Sequence, residues 1–130
     1  MNDNDDEPVG LRQALGRFGI LLKNRDRAVV DDFAPDGMLV GSEPGEIARG
    51  HAELVPFFER LLAGPNSIIW EWDTLDIHAV GGLGWIFAEG VVVLDGPAGV
   101  RRLPYRLSAV LEASGSGWKW RLFHGSEPKV

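Results

Sequence analysis

Cysteine is missing from this chain of 130 residues, and its absence excludes disulfides, thiolate metal sites and cysteine nucleophiles. Histidine is scarce. His51, His78 and His124 are the three present, and no two stand at the i, i+2 or i, i+4 spacing with which one strand or helix offers a metal two ligands. No metal site is expected. The phosphate loop, the dinucleotide fingerprint and the nucleophile elbow are absent too, since Gly81-Gly82-Leu83-Gly84 lacks the spacing they require, and no cofactor is expected. No apolar run reaches the ~18 residues of a membrane span. The first residues are acidic where a secretory leader is basic and then apolar. A membrane partner is therefore set aside, and the cytoplasm is the default compartment.

Positive charge is also in short supply. The net charge is −6, and Asp3, Asp5, Asp6 and Glu7 precede the first Lys or Arg, so the chain beyond residue 7 carries only −2. Such a near-neutral body has no electrostatic footprint for nucleic acid or anionic lipid. What the sequence does contain is ordinary for one globular domain: 45% hydrophobic and 25% charged residues, in a length that can bury one core. The division expected is a mobile acidic lead-in over 1–7 and a single domain over 8–128.

Asp6 is placed to cap a helix beginning near Pro8, where a proline loses no hydrogen bond. Leu11, Ala14, Leu15, Phe18, Leu21 and Leu22 then recur at helical spacing. Gly16 and Gly19 interrupt that helix, and close approach to a neighbouring strand is the simple explanation. A short second helix is expected after Asp26, with Val29, Val30 and Phe33 inward and Pro35 as its stop. Asp36-Gly37 reads as a turn into a short strand, Met38 to Gly41, and Ser42 to Gly50 as a loop. Leu54, Phe57, Phe58, Leu61 and Leu62 mark a third helix that ends at Gly64-Pro65. Pro56 requires this helix to start late, near Ala52, or to bend.

From Ser67 the period changes to two. Ile68 to Val80 is one long strand or two halves about a bulge, and Trp85 to Asp95 is the next. Turns at Gly81-Gly82 and Gly96-Pro97-Ala98-Gly99 separate these from the runs Tyr105 to Glu112 and Trp118 to His124, themselves joined by Ser114-Gly115-Ser116-Gly117. At strict alternation Trp118, Trp120, Leu122 and His124 share one face. Helices first and then four long strands with short glycine turns argue for an α+β domain with an antiparallel meander. Trp85, Phe87, Val91 and Val93 alternate with Ile86, Ala88 and Val92, so both faces of the sheet are apolar. A second copy of the chain, in a two-fold dimer through the sheets, is the expected cover.

Two stretches in the first half carry a resemblance: Phe33-Ala34-Pro35-Asp36-Gly37 before the first strand, and Glu46-Ile47-Ala48-Arg49-Gly50-His51-Ala52-Glu53-Leu54 before the third helix. Both are similar to the NTF2-like superfamily of cone-shaped α+β domains. The ending Gly117-Trp118-Lys119-Trp120-Arg121-Leu122-Phe123-His124-Gly125-Ser126-Glu127-Pro128 resembles the SnoaL-like branch, as do Trp85 to Glu89 and Arg106 to Leu111. The resemblance implies three N-terminal helices packed on a strongly curved, mostly antiparallel sheet, with a cavity between them. That scaffold hosts isomerases, cyclases, carriers and assembly modules, so fold does not decide function.

The pocket expected from this resemblance is lined by Phe18, Phe33, Phe58, Trp72, Trp85, Phe87, Trp120 and His124. Three residues are candidates for chemistry. His124 is a base or a hydrogen-bonded structural residue. Glu89 has a raised pKa if it faces the cavity and merely solvates a strand if it faces out. Arg106 partners Glu89 or a ligand carboxylate. Tyr105 and Arg106 cannot face the same way, so at most one lines the pocket. Trp70 and Trp72, with Asp76 and His78, either line a cavity or form an outward strip. Asp36 lies near the region of an isomerase base, but Tyr105 falls on the fourth long strand's run and not on the first helix, so no complete isomerase set is present. The function expected is the binding of a small apolar molecule; the alternatives are an isomerase or cyclase acting on a polyketide- or steroid-like substrate, or an oligomerisation module.

Overall fold

The computed structural model describes residues 10–115 and 117–128. Helix α1, Leu11–Lys23, buries Leu11, Leu15, Phe18 and Leu22 on one stripe and exposes Arg12, Gln13 and Arg17. Its N-cap is Gly10, with no side-chain cap; the Asp6 cap and the start at Pro8 lie outside the described residues. A Cβ at Gly16 or Gly19 would meet nothing within 4 Å, so these glycines do not mark close approach to a strand, contrary to the expectation.

The second helix is a 3-10 turn, Arg27–Asp32, capped as expected by the Asp26 carboxylate, which accepts from the Ala28 N–H at 2.9 Å. It ends before Phe33 because Pro35 biases Ala34 to extended backbone and β1, Phe33–Val40, begins there. Asp36-Gly37 is therefore no turn. It lies inside β1, where the register against the last strand shifts between Phe33 and Met38. Strand β2, Ile47–Arg49, is a three-residue antiparallel addition within the segment read as a loop. Helix α2, Gly50–Ala63, starts earlier than Ala52 and runs through Pro56. The hydrogen bond that proline cannot donate would have gone to Ala52, and both residues lie on the exposed side, where water serves the carbonyl.

Strands β3 (Ser67–Val80), β4 (Leu83–Gly96), β5 (Gly99–Ser114) and β6 (Gly117–Ser126) form the meander expected. The sheet has six strands in the order β2-β1-β6-β5-β4-β3, antiparallel except for β1 against β6. Its inner face, with Ile86 and Ala88 on β4, Leu107 and Leu111 on β5, and Trp120 and Phe123 on β6, packs on α1 and α2 to make the core.

Two bulges interrupt the alternation. Trp72 pairs with Gly90 and Thr74 with Glu89, leaving Asp73 unpaired, and Leu111 pairs with Trp120 and Val110 with Leu122, leaving Arg121 unpaired. Each extra residue moves the side chains beyond it to the opposite face. Among the described residues no helix is long and apolar enough to cross a membrane.

Candidate functional site

At the end of the inner face toward the β1–β2 loop, the helices do not close on the sheet, and a cleft of about 190 Å³ remains. Its aromatic wall is built from several elements. Phe18 of α1 stacks on Phe123 of β6 at 4.4 Å and meets Trp70 of β3 at 5.5 Å. Trp70 in turn meets the ring of Tyr105 edge-on at 5.9 Å, and Phe57 and Phe58 of α2 complete the wall. Leu39 of β1 and Val92 of β4 fill the gaps, and Glu43, Glu46 and Glu127 stand among the lining residues.

One buried polar atom in this wall is without a partner among the described residues. The Trp70 indole nitrogen is buried and makes no hydrogen bond. Tyr105 is 8% exposed, and its hydroxyl lies where a Cβ on residue 125 would sit 1.8 Å away, so glycine is required there. Burial raises the phenol's pKa, and the nearby Glu127 and Glu46 carboxylates raise it further, so Tyr105 remains a neutral phenol. Glu46 is held in place, its Oε1 accepting from the Glu43 N–H at 2.9 Å.

The expected pocket residues separate into three groups. Phe18 and Phe58 line the cleft. Phe33 and Trp120 are fully buried behind it, and Trp72 stacks on Trp70 at 6.3 Å and lines an adjoining hollow beside Gly16 and Gly19. Trp85, Phe87 and His124 lie on the outer face. Trp85 is 41% exposed and rests against His78 at 5.5 Å. The reading of His124 on one face with Trp120 is corrected by the bulge at Arg121, which turns Phe123 inward and leaves His124 exposed opposite Ser108.

The bulge at Asp73 likewise separates Trp70 and Trp72, inward, from Asp76 and His78, outward. Glu89 and Arg106 pair with each other on the outer face at 2.9 Å, with side chains 42% and 52% exposed. Asp36 forms a two-pronged ion pair with Arg121 at 2.9 and 3.1 Å, which lowers its pKa and removes it from consideration as a cavity base. Among the described residues no group of three His, Asp or Glu side chains could hold a metal.

Trp70, weighed as cavity-lining or outward, lines the cleft, and the residues absent from the expected pocket include Tyr105, Phe57, Phe123 and the three glutamates. Tyr105 was within reach, because Tyr105, Leu107, Ala109 and Leu111 form the apolar alternate set of β5, whereas Arg106, Ser108 and Glu112 form the polar one. Phe123 was not, since nothing in the sequence marks Arg121 as a bulge.

Helices seated in a curled, unclosed six-stranded sheet, with a cleft at the open end, define an NTF2-like, cystatin-like domain. The chain belongs to the SnoaL-like domain family, whose model matches residues 11–129. No curated protein matches it. Solved structures do. An NTF2-like family protein of Streptomyces avermitilis, named as a candidate dehydratase, superposes with a TM-score of 0.84 at 14% identity, over 97% of this chain and 99% of that one. An NTF2-like protein of unknown function from Pseudomonas putida gives 0.76 at 17% identity, over 92% and 85%. An uncharacterised protein with a cystatin-like fold from Caulobacter vibrioides gives 0.76 at 16%, over 92% and 88%. At such identities these likenesses establish the fold alone.

Proposed function

We propose that this SnoaL-like domain binds a small, mainly apolar molecule in the cleft between α1, α2 and the inner face of the sheet. The observation that carries the reading is an aromatic-walled opening with the buried, unpartnered Trp70 indole N–H on its wall. A buried polar group without a partner costs about 1–3 kcal/mol, and a ligand that hydrogen-bonds to it recovers that cost. Size narrows the choice. An engineered cavity of about 150 Å³ takes one benzene, so 190 Å³ suits one ring with a short arm and is small for the four fused rings of a steroid. Glu89, Arg106 and His124 stand on the other side of the sheet, which favours binding over the isomerase or cyclase alternative.

The test is a titration of the ¹⁵N-labelled chain with benzyl alcohol. The Trp70 indole and Tyr105 amide resonances should move while the Trp85 indole does not. Movement confined to Trp85, or none at all, would overturn the reading. Fractionation of cells expressing the tagged chain checks the cytoplasm as its compartment.

A second reading concerns the partner and has its own support. The outer face exposes Trp85, and Val80 and Leu83 at the adjoining hairpin are 71% and 52% exposed. Four of its charges are neutralised in the pairs Glu89–Arg106 and Glu71–Arg102. A second copy brought against this face by a two-fold axis would meet apolar surface and paired charges there, and we propose a homodimer through it. Light scattering at micromolar concentration measures it, and a monomer mass would refute it.

A further inference from the structure

We propose that the ligand of the cleft is an uncharged single-ring compound of the aryl-ketone kind, whose carbonyl oxygen is received by the indole N–H of Trp70. The inference rests on the cleft being a ligand site and adds what the ligand's polar end must be. The Trp70 indole nitrogen is buried and has no hydrogen-bond partner among the described residues. An indole nitrogen can only donate. What satisfies it is therefore an acceptor, and an ammonium head would leave it unpaired.

The side chains around the indole do not serve it. Its ring lies against those of Phe18, Trp72 and Tyr105, at 5.5, 6.3 and 5.9 Å. The first two have no oxygen, and the Tyr105 hydroxyl is held over Gly125. The nitrogen is closed off from water, while Trp70 as a whole is only half-buried. The torsion that sets an indole's plane is broad, so a modest rocking of the ring presents the N–H to an oxygen in the cleft.

The lining decides the charge of that oxygen and its place. Glu43, Glu46 and Glu127 line the cleft, and among the described residues no Lys or Arg does. A carboxylate, although the stronger acceptor, would enter against three negative charges. Trp70 also borders the hollow beside Gly16 and Gly19, where Lys23 stands. That hollow is lined by α1 and β3 alone, whereas rings from α1, α2, β3, β5 and β6 surround the cleft. A site that encloses more of a small ligand's surface holds it better. A ketone is neutral, accepts without donating, and has the single ring and short arm that the cleft admits.

The experiment titrates the ¹⁵N-labelled full chain with acetophenone, ethylbenzene and benzoate. It follows the Trp70 indole N–H, the amides of Gly41 and Phe123 in the cleft, and those of Gly16 and Gly19 in the hollow. Acetophenone should move the cleft amides and carry the indole proton downfield, as a new hydrogen bond does. Ethylbenzene should move the cleft amides without that downfield shift, and benzoate should bind more weakly than acetophenone. Trp70→Phe keeps a ring and removes the N–H, so it should weaken acetophenone about fivefold more than ethylbenzene, the worth of one hydrogen bond. Circular dichroism verifies that this variant folds, and the indole shift in the unaltered chain is independent of it. If the indole proton responds alike to acetophenone and ethylbenzene, or Trp70→Phe weakens both equally, the acceptor assignment fails while the cleft reading stands. If benzoate binds as tightly as acetophenone, the assignment of a neutral ligand fails. If Gly16 and Gly19 move in place of Gly41 and Phe123, the placement in the cleft fails. If none of the three probes binds, both the cleft reading and this inference fall.

Discussion

Gly125 and Tyr105 are coupled residue by residue. The tyrosine hydroxyl occupies the space that any larger residue would need at position 125. Gly125→Ala should therefore displace the phenol and cost about 1–3 kcal/mol, the usual price of overpacking a filled site. A thermal melt reads the loss. The double variant with Tyr105→Phe should recover part of it, because the overlapping oxygen is gone, and independent additive losses would show that the two do not touch. Exposed ion pairs contribute on a smaller scale. Arg102–Glu71 is more than half exposed on both sides and contributes little, since water and salt screen such a pair. The charged residues of this protein thus matter more for which face of the sheet they occupy than for stability.

At the level of elements, α1 has unused stability. Gly16 is exposed, lies within the helix, and would meet no atom within 4 Å if given a Cβ. Gly16→Ala should raise unfolding free energy by roughly 0.5–1 kcal/mol, as helix propensity and the reduced freedom of the unfolded chain both favour alanine. Chemical denaturation measures it, and a destabilised variant would show that the helix needs its flexibility. The strands behave oppositely. At Gly90 a Cβ would lie 2.0 Å from the Glu71 carbonyl oxygen, because β3 crowds inward where Asp73 bulges. Helix α2 and strands β3, β4 and β6 were legible to within a few residues because the change of period from 3.6 to 2 is written in the apolar residues. Bulges were not, since one unpaired residue leaves no trace in composition. The β-strand at Phe33–Val40 was misread for a related reason: Pro35 and Asp36-Gly37 carry local turn signals that pairing with β6 overrides.

For the molecule as a whole, the sheet has a concave side spent on the core and cleft and an outer side that carries Trp85, Phe87 and the Glu89–Arg106 pair. If that outer side is where two copies meet, Trp85→Asp should convert the dimer to a folded monomer. It places an unpaired charge in the centre of an apolar contact while leaving the core untouched. Sedimentation or light scattering reports the mass. Ligand binding in the cleft should persist in that monomer, because Trp85 is not among the cleft's lining residues.

Composition and periodicity alone determined the α+β class with its antiparallel meander, and motif order pointed to the family, because burying apolar faces at two periods admits few architectures. Which side chains face the cleft was decided only by the folded sheet. Arg121 and Asp73, each left without a partner across the ladder, shift everything beyond them by one position. With that shift His124 faces outward and Phe123 inward, where it lines the cleft with Trp70 and Tyr105. The physical reason is that side-chain facing depends on pairing between strands distant in sequence, and a local pattern contains no information about its partner's register.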